Sequence, residues 1–420
     1  MRSGVPVVVL VACLALAGCT VGYQGPIATP TPDGPSPTPD AATPTAEPPT
    51  TPTETPSSDD PGEISVSGGE LDVKPGTVYD RVAGLLSTTA DPPERIRIRP
   101  LNGQTQSLPA DTTRMAFYDL FGLTTSDENA SGSVAAYVAQ PSVVNVNSAV
   151  LGDPRLESIL AHEFVHTVQF RENAIGAVRG AAGYTLDSRL ASNGAIEGAA
   201  VFGAETYWEQ FIETGVRPAE DAAALYRNST GRGRLTAAAY ALGYEHIAAR
   251  IDDPARLDRI YRDPPTTTEQ LLHPGVTDAP RELEASVGET EWLASDTGGR
   301  FGELFVRTTL GTELNASAAA SGADGWGTDT RLDFLTPEDE RGFAWVLRFD
   351  DAANTSEFER TAHTWLDERA TRDGDGWTSP EGRYRLVPVD SETVVWLAGA
   401  ETFVEEATAT SDDGAVTVSV

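Results

Sequence analysis

Lysine is almost missing from this chain. Of 420 residues one is lysine, Lys74, the other 29 basic residues are arginines, and 63 acids bring the formal net charge to −33. A surface of that sign repels phosphate backbones and anionic headgroups, which sets nucleic-acid binding aside. It also repels itself, and a compact fold tolerates this best in brine, where at molar ionic strength the Debye length is roughly 3 Å. The composition points to a protein of halophilic type. Cysteine is confined to Cys13 and Cys19. Long apolar runs are scarce too: after the first twenty residues none reaches the about 18 that a membrane-spanning helix needs. Hydrophobic residues nevertheless make up 40% of the chain, enough to bury a core in each of two domains.

The N-terminus has a processing pattern. Arg2 precedes an apolar run from Val5 to Ala17, too short to span a bilayer, and Leu16-Ala17-Gly18-Cys19 follows. This resembles the lipobox of prokaryotic lipoproteins. The resemblance implies that residues 1–18 are a signal peptide and that Cys19 becomes the lipidated first residue. The protein would then sit at the cell surface, touching the membrane through its lipid alone. No twin arginine precedes the run, which suits a Sec-type route. Cys13 leaves with the signal, so the mature chain has no cysteine pair for a disulfide.

From Gln24 to Gly62, 21 of 39 residues are proline or threonine. Such a segment buries no core, so residues 19–62 read as an extended stalk. Asn129, Asn228, Asn315 and Asn354 open four sequons beyond it, candidate N-glycosylation sites of an exported protein.

The folded body spans 63–420 and carries 57 acids against 29 basic residues. Apolar spacing predicts helices at 77–86 and 114–122, with strands at 95–99, 134–138 and 143–150. From Asp153 the pattern turns helical until about residue 285. Strands are expected again at 343–349, 384–389 and 393–397, and helices at 356–369 and 401–407. This order defines an α+β chain, divided into a domain at 63–280 and a C-terminal α+β domain at 281–420.

The chemistry concentrates in His162-Glu163-Phe164-Val165-His166. Asp153 suits an N-cap and Pro154 the first helical position, so a helix should start there. Positions i and i+4 share a face, which aims His162 and His166 at one ion. Glu163 can then reach a metal-bound water, whose pKa zinc lowers to about 7, and take its proton. With five histidines in 420 residues, this pattern seldom arises by chance.

Catalytic zinc usually has three protein ligands. Neither His246, His273 nor His363 falls at the spacing of a downstream histidine ligand, so a carboxylate is the better candidate. Asn193-Gly-Ala-Ile-Glu197-Gly-Ala-Ala begins 27 residues after His166. It resembles the Glu-Gly-x-Ala helix of gluzincin metallopeptidases, in which the glutamate before glycine is the third zinc ligand. Glu205 and Glu209 are alternatives farther along. The small residues at 194, 195 and 198–200 should let this helix approach the His162 helix closely.

Tyr240, Gly243, Tyr244 and His246 resemble the Tyr-x-x-Gly-aromatic helix of several such peptidases. That implies Tyr244 or His246 as a catalytic oxyanion partner, set against a buried aromatic and a surface histidine. Thr266-x-x-Glu269 reads as a capping box ahead of His273. Gly325-Trp326-Gly-Thr-Asp329 reads as a turn feeding a strand, with Trp326 in the core.

The resemblance implies a zincin-like core, a small mixed sheet with active-site helices, holding Zn2+ through His162, His166 and Glu197. The expected partner is a peptide or protein substrate hydrolysed by a metal-activated water. The alternative is a peptidase-fold surface protein that works by binding or in envelope structure. The chain lacks the Asn-Glu-x-x-Ser-Asp signature of thermolysin.

Overall fold

The structure, a computed structural model, describes residues 17–20, 63–101, 112–124, 134–296 and 299–420. The chain is α+β. Its first sheet contains β1 (Ala17–Thr20), β2 (Ser65–Ser67), β3 (Arg95–Arg99), β4 (Val134–Gln140) and β5 (Val143–Asn147), in the spatial order β1-β4-β5-β3-β2. β2, β3 and β5 run parallel, whereas β4 runs antiparallel to both its neighbours, β5 and β1. β3 alternates arginine with isoleucine, and the pleat buries Ile96 and Ile98 while the arginines face out.

Among the described residues, the first part of the chain contains the helices α1 (Pro75–Leu86), α2 (Thr112–Leu120), α3 (Leu156–Arg171), α4 (Ala174–Ala182), α5 (Leu186–Phe211), α6 (Pro218–Asn228), α7 (Gly231–Arg250), α8 (Leu257–Arg262) and α9 (Thr268–Leu272). α1 lays Val78, Tyr79 and Val82 on the sheet's isoleucines and on α3. Tyr79 meets Phe164 edge-on, ring centroids 5.5 Å apart.

α3 begins two residues later than Asp153 and Pro154 suggested. Asp153 instead closes a turn, its carboxylate accepting the Arg155 N–H at 2.8 Å and its carbonyl the Leu156 N–H at 3.0 Å. From Leu156 to Gln169 every residue of α3 but Glu157 is buried. A helix enclosed on all sides needs polar partners for each histidine and glutamate it carries.

The second part contains β6 (Glu284–Val287), β7 (Leu293–Asp296), β8 (Trp326–Leu335), β9 (Arg341–Phe349), β10 (Thr371–Asp373), β11 (Gly376–Ser379), β12 (Gly382–Pro388), β13 (Thr393–Gly399), β14 (Thr408–Asp412) and β15 (Ala415–Ser419). Its helices are α10 (Glu303–Leu310), α11 (Ala316–Ala323), α12 (Ala352–Arg369) and α13 (Glu401–Glu406). Seven strands form an antiparallel sheet in the order β10-β11-β12-β13-β9-β8-β7, and β14, β15 and β6 form a smaller one. Strand alternation sorts the core: Trp345 and Trp396 face α12 with Trp365, while Val346 and Leu397 face Phe403 and Val416.

Residue 280 does not separate two cores. Phe117 and Tyr118 of α2, with Phe121 just after it, leave the first sheet and pack among Phe301, Phe305, Trp345 and Trp396. The Leu120 carbonyl accepts from Arg369 Nε at 2.9 Å and from the Tyr384 hydroxyl at 2.8 Å. Leu190, Leu235 and Leu242 of α5 and α7 join the same cluster. Three aromatics close together on one short segment bury far more apolar area against a tryptophan-rich sheet than on the small valine-rich one.

Candidate metal centre

Crossing of α3 and α5 brings three donors together. His162 and His166 present Nε2 atoms 3.0 Å apart, and Glu197 Oε2 lies 3.3 Å from the first and 3.1 Å from the second. All three side chains are buried. Among the described residues they are the one group of three or more histidine, cysteine or carboxylate ligand atoms within 4.8 Å of one another. Ligand atoms bonded to zinc at about 2.0–2.2 Å in a tetrahedron stand roughly 3.3–3.6 Å apart, so the set fits one ion after expanding by a few tenths of an ångström.

A neighbouring hydrogen-bond chain orients one imidazole. Gln169 Nε2 donates to the Ile196 carbonyl and to the Tyr261 hydroxyl, both at 3.0 Å. Its Oε1 therefore accepts from His166 Nδ1–H, at 2.7 Å, which turns the Nε2 atom toward Glu197. Burial pushes His162 down from its ordinary range. Burial acts on His166 in the same direction, but the facing Glu197 carboxylate outweighs it and lifts the group. Glu197 is also buried, yet the His166 charge holds its carboxyl well below the usual carboxylate range. Two imidazoles and a carboxylate converging in a dry pocket favour positive charge between them, which a divalent cation held there would supply by displacing a proton.

The alternatives to Glu197 are used elsewhere. Glu205 accepts from Arg217 and from the Ala219 N–H in the first turn of α6, and Glu209 pairs with the same arginine. Glu163, fully buried, follows His162 on α3, and its charge acts on His166.

Tyr240 is the aromatic of α7 that meets the centre, its ring stacked on His162 at 6.1 Å and 25°. Sequence reasoning placed the oxyanion role on Tyr244 or His246 instead. Tyr244 packs against Phe202, ring centroids 6.3 Å apart. His246 is buried rather than at the surface, with Arg250 Nη1 3.3 Å from its Nε2, and burial pushes it down to about 4. Tyr240 and Tyr244 are one turn apart on the same face, so periodicity alone did not choose between them.

The close helix approach is real and has a second partner. A Cβ on Gly198 would come within 2.2 Å of the Gly243 backbone, and one on Gly243 within 2.2 Å of the Gly194 carbonyl. α5 is therefore pressed against α7 through Gly194 and Gly198, while Ala200, also among the expected small residues, and Gly203 pack on α3 beside Ile196 and Glu197.

The remaining histidines have local roles. His273 Nε2 bonds both Glu303 oxygens at 3.0 and 3.1 Å, and His363 packs on Trp377. The box before His273 lies one residue on from the expected one. Thr267 accepts the Gln270 N–H, and Gln270 Oε1 reaches back to the Thr266 N–H.

Of the sequons, Asn129 lies outside the described residues and Asn228 is exposed at the end of α6. Asn315 caps α11 through its side chain, and Asn354 Nδ2 donates to the Asp324 carbonyl at 3.3 Å. Cys19 falls within β1. The rest of the expected signal and stalk lies outside the described residues. No described helix is long and apolar enough to cross a membrane.

Residues 291–409 match a family model described as a domain of unknown function (DUF8575). That segment covers the seven-stranded sheet and contains none of the metal donors. No curated protein and no solved structure matches the chain.

Proposed function

We propose that this protein is a zinc-dependent peptidase of gluzincin type, tethered through Cys19 to the outer face of a halophilic cell. The observation that carries the reading is the convergence of His162, His166 and Glu197 at 3.0–3.3 Å inside a buried pocket. A zinc ion bound there would supply a water with a pKa near 7 and polarise a peptide carbonyl. Glu163 takes the proton from the attacking water and returns it to the leaving amine. Gln169 holds the His166 ring and Tyr240 the His162 ring, which keeps both donors aimed.

Support for a zincin-like core comes from the mixed sheet beside α3, whose antiparallel strand β4 packs against that helix. The outer edge of β4 pairs with Ala17–Thr20, so that edge accepts an extended chain, the form in which a peptide substrate would add to it.

A second reading, a peptidase-fold surface protein that binds without cleaving, is favoured by the size of the opening. The cavity that His162 lines, between α3, α5, α6 and α7, holds about 60 Å³, room for a few waters and not for a peptide.

Zinc analysis of the full chain purified in molar KCl, paired with hydrolysis of a mixed peptide library by wild type and Glu163→Gln, separates the readings. Stoichiometric zinc in both proteins with cleavage by wild type alone supports the peptidase. Zinc in both without cleavage supports the binding protein, and absence of zinc from both refutes the metal centre.

A further inference from the structure

Charge on this protein is overwhelmingly negative, yet one cavity inverts it. Arg114, Arg189, Arg300, Arg331 and Arg341 line a space of about 690 Å³, and Asp333 is the one carboxylate among its described lining residues. In the folded body acids outnumber basic residues 57 to 29, so five guanidiniums around one void are a local reversal of composition.

The arginines are placed at different depths. Arg331 forms the floor, gripped by Asp333 at 2.5 and 2.8 Å and set 4.4 Å above the Phe117 ring. Arg300 uses Nε on the buried Asp187 at 3.4 Å and leaves its side chain 29% exposed. Arg341 ties to Asp339 at the mouth. Arg189, exposed on the first turns of α5, has no carboxylate partner among the described residues.

One wall of the same cavity is β7, through Leu293, Ala294 and Ser295. β7 is the outermost strand of its sheet, paired only with β8 among the described residues and exposed along its whole length. Leu293 is 67% exposed and Tyr184, also on the rim, is wholly exposed. An open strand edge with apolar rim residues is a template for another strand.

We infer that this cavity and the free edge of β7 together dock an extended acidic segment of a partner polypeptide. A strand added to β7 sends alternate side chains to opposite faces; Leu293 and Ser295 share the face of Arg331 and Asp333, so acids at every second position meet the arginines beside Leu293 while the apolar residues between them turn to the other face. Guanidinium forks bind carboxylates two-point, the geometry Arg331 already shows with Asp333. Where the Debye length is roughly 3 Å, long-range attraction is lost and contact pairs in a partly dry cavity decide recognition. The site contains none of the metal donors and stands whether or not the metal centre hydrolyses peptides.

The test uses the full chain carrying Glu163→Gln, in molar KCl, with a fluorescent peptide alternating glutamate and valine. A matched peptide with lysine for glutamate, and polygalacturonate as competitor, are the comparisons. We expect the glutamate peptide alone to bind, and Arg189→Glu and Leu293→Asp each to weaken it by about tenfold or more, the loss of one charge-assisted contact. Both positions are exposed, and matched thermal midpoints establish folding before titration. If Arg189→Glu does not fold, Leu293→Asp and Arg189→Gln decide the matter. Equal binding of the lysine peptide, unchanged affinity in the folded variants, or displacement by the uronate polymer at lower concentration than by unlabelled peptide overturns the inference.

Discussion

Gly198→Ala tests whether α7, which gives no ligand, sets the metal geometry. The added Cβ would sit 2.2 Å from the Gly243 carbonyl carbon and 2.4 Å from its oxygen, against the 3.4 Å at which ordinary contact begins. Both partners are backbone, so no rotamer relieves the clash and the helices must part by about 1.2 Å. Glu197 is the preceding residue, and a shift of that order takes its 3.1–3.3 Å spacing from the imidazoles past about 4 Å, too wide for one tetrahedral ion. Overpacking of this kind costs about 1–3 kcal/mol of stability. Displacing a ligand's support lowers metal affinity by about 10–100-fold. Competition against a fluorescent zinc chelator in molar KCl measures the affinity. Gly180→Ala is the control, because a Cβ there meets nothing within 4 Å. If Gly198→Ala binds zinc as wild type does and melts at the same temperature, the rigid contact argued here does not position Glu197.

Three further outcomes follow from the geometry. Asp329 accepts from the Phe301 and Gly302 N–H groups and from the Trp326 and Trp345 indoles. Asp329→Asn orphans at least one of these buried donors, Trp345 Nε1 where the amide nitrogen takes the Oδ2 position, and should cost about 1–3 kcal/mol in urea unfolding, whereas an unchanged midpoint refutes the network's role. Burial, reinforced by the Glu303 charge, pushes Glu269 up to about 8. The folded state then binds the extra proton, so the associated stability is present below about pH 4.5 and lost as pH rises through 8. Glu269→Gln should flatten this part of the melting profile, and an unaltered slope contradicts the assignment. Chelation should lower the melting temperature by the loss of about 4 kcal/mol if zinc is held at a thousand times its Kd, reversibly. Glu197→Gln should abolish the chelator's effect, and a persistent shift would place the stabilising metal elsewhere.

Local patterns were legible where local forces decide. The alternation Arg-Ile-Arg-Ile-Arg marks β3 at both ends, and spacing places His162 and His166 one turn apart on a helix, because pleat and helical period are set by each residue and its near neighbours. Capping was legible to within a residue: Thr267 rather than Thr266 accepts the helix N–H, from Gln270, and the Gln270 side chain in place of Glu269 reaches back to the Thr266 N–H. Other features depended on contacts between segments far apart. Sequence left Glu197, Glu205 and Glu209 open on one helix, and the crossing of α5 with α3 singled out Glu197 while Arg217 drew off the other two. The axial position of α7, locked by Gly243 against Gly194 and Gly198, put Tyr240 rather than Tyr244 on His162. The departure of α2 into the tryptophan core likewise follows from aromatic surface supplied some two hundred residues later in the chain. Such choices turn on burying area and satisfying charge between distant segments, quantities that exist only once the chain has closed on itself.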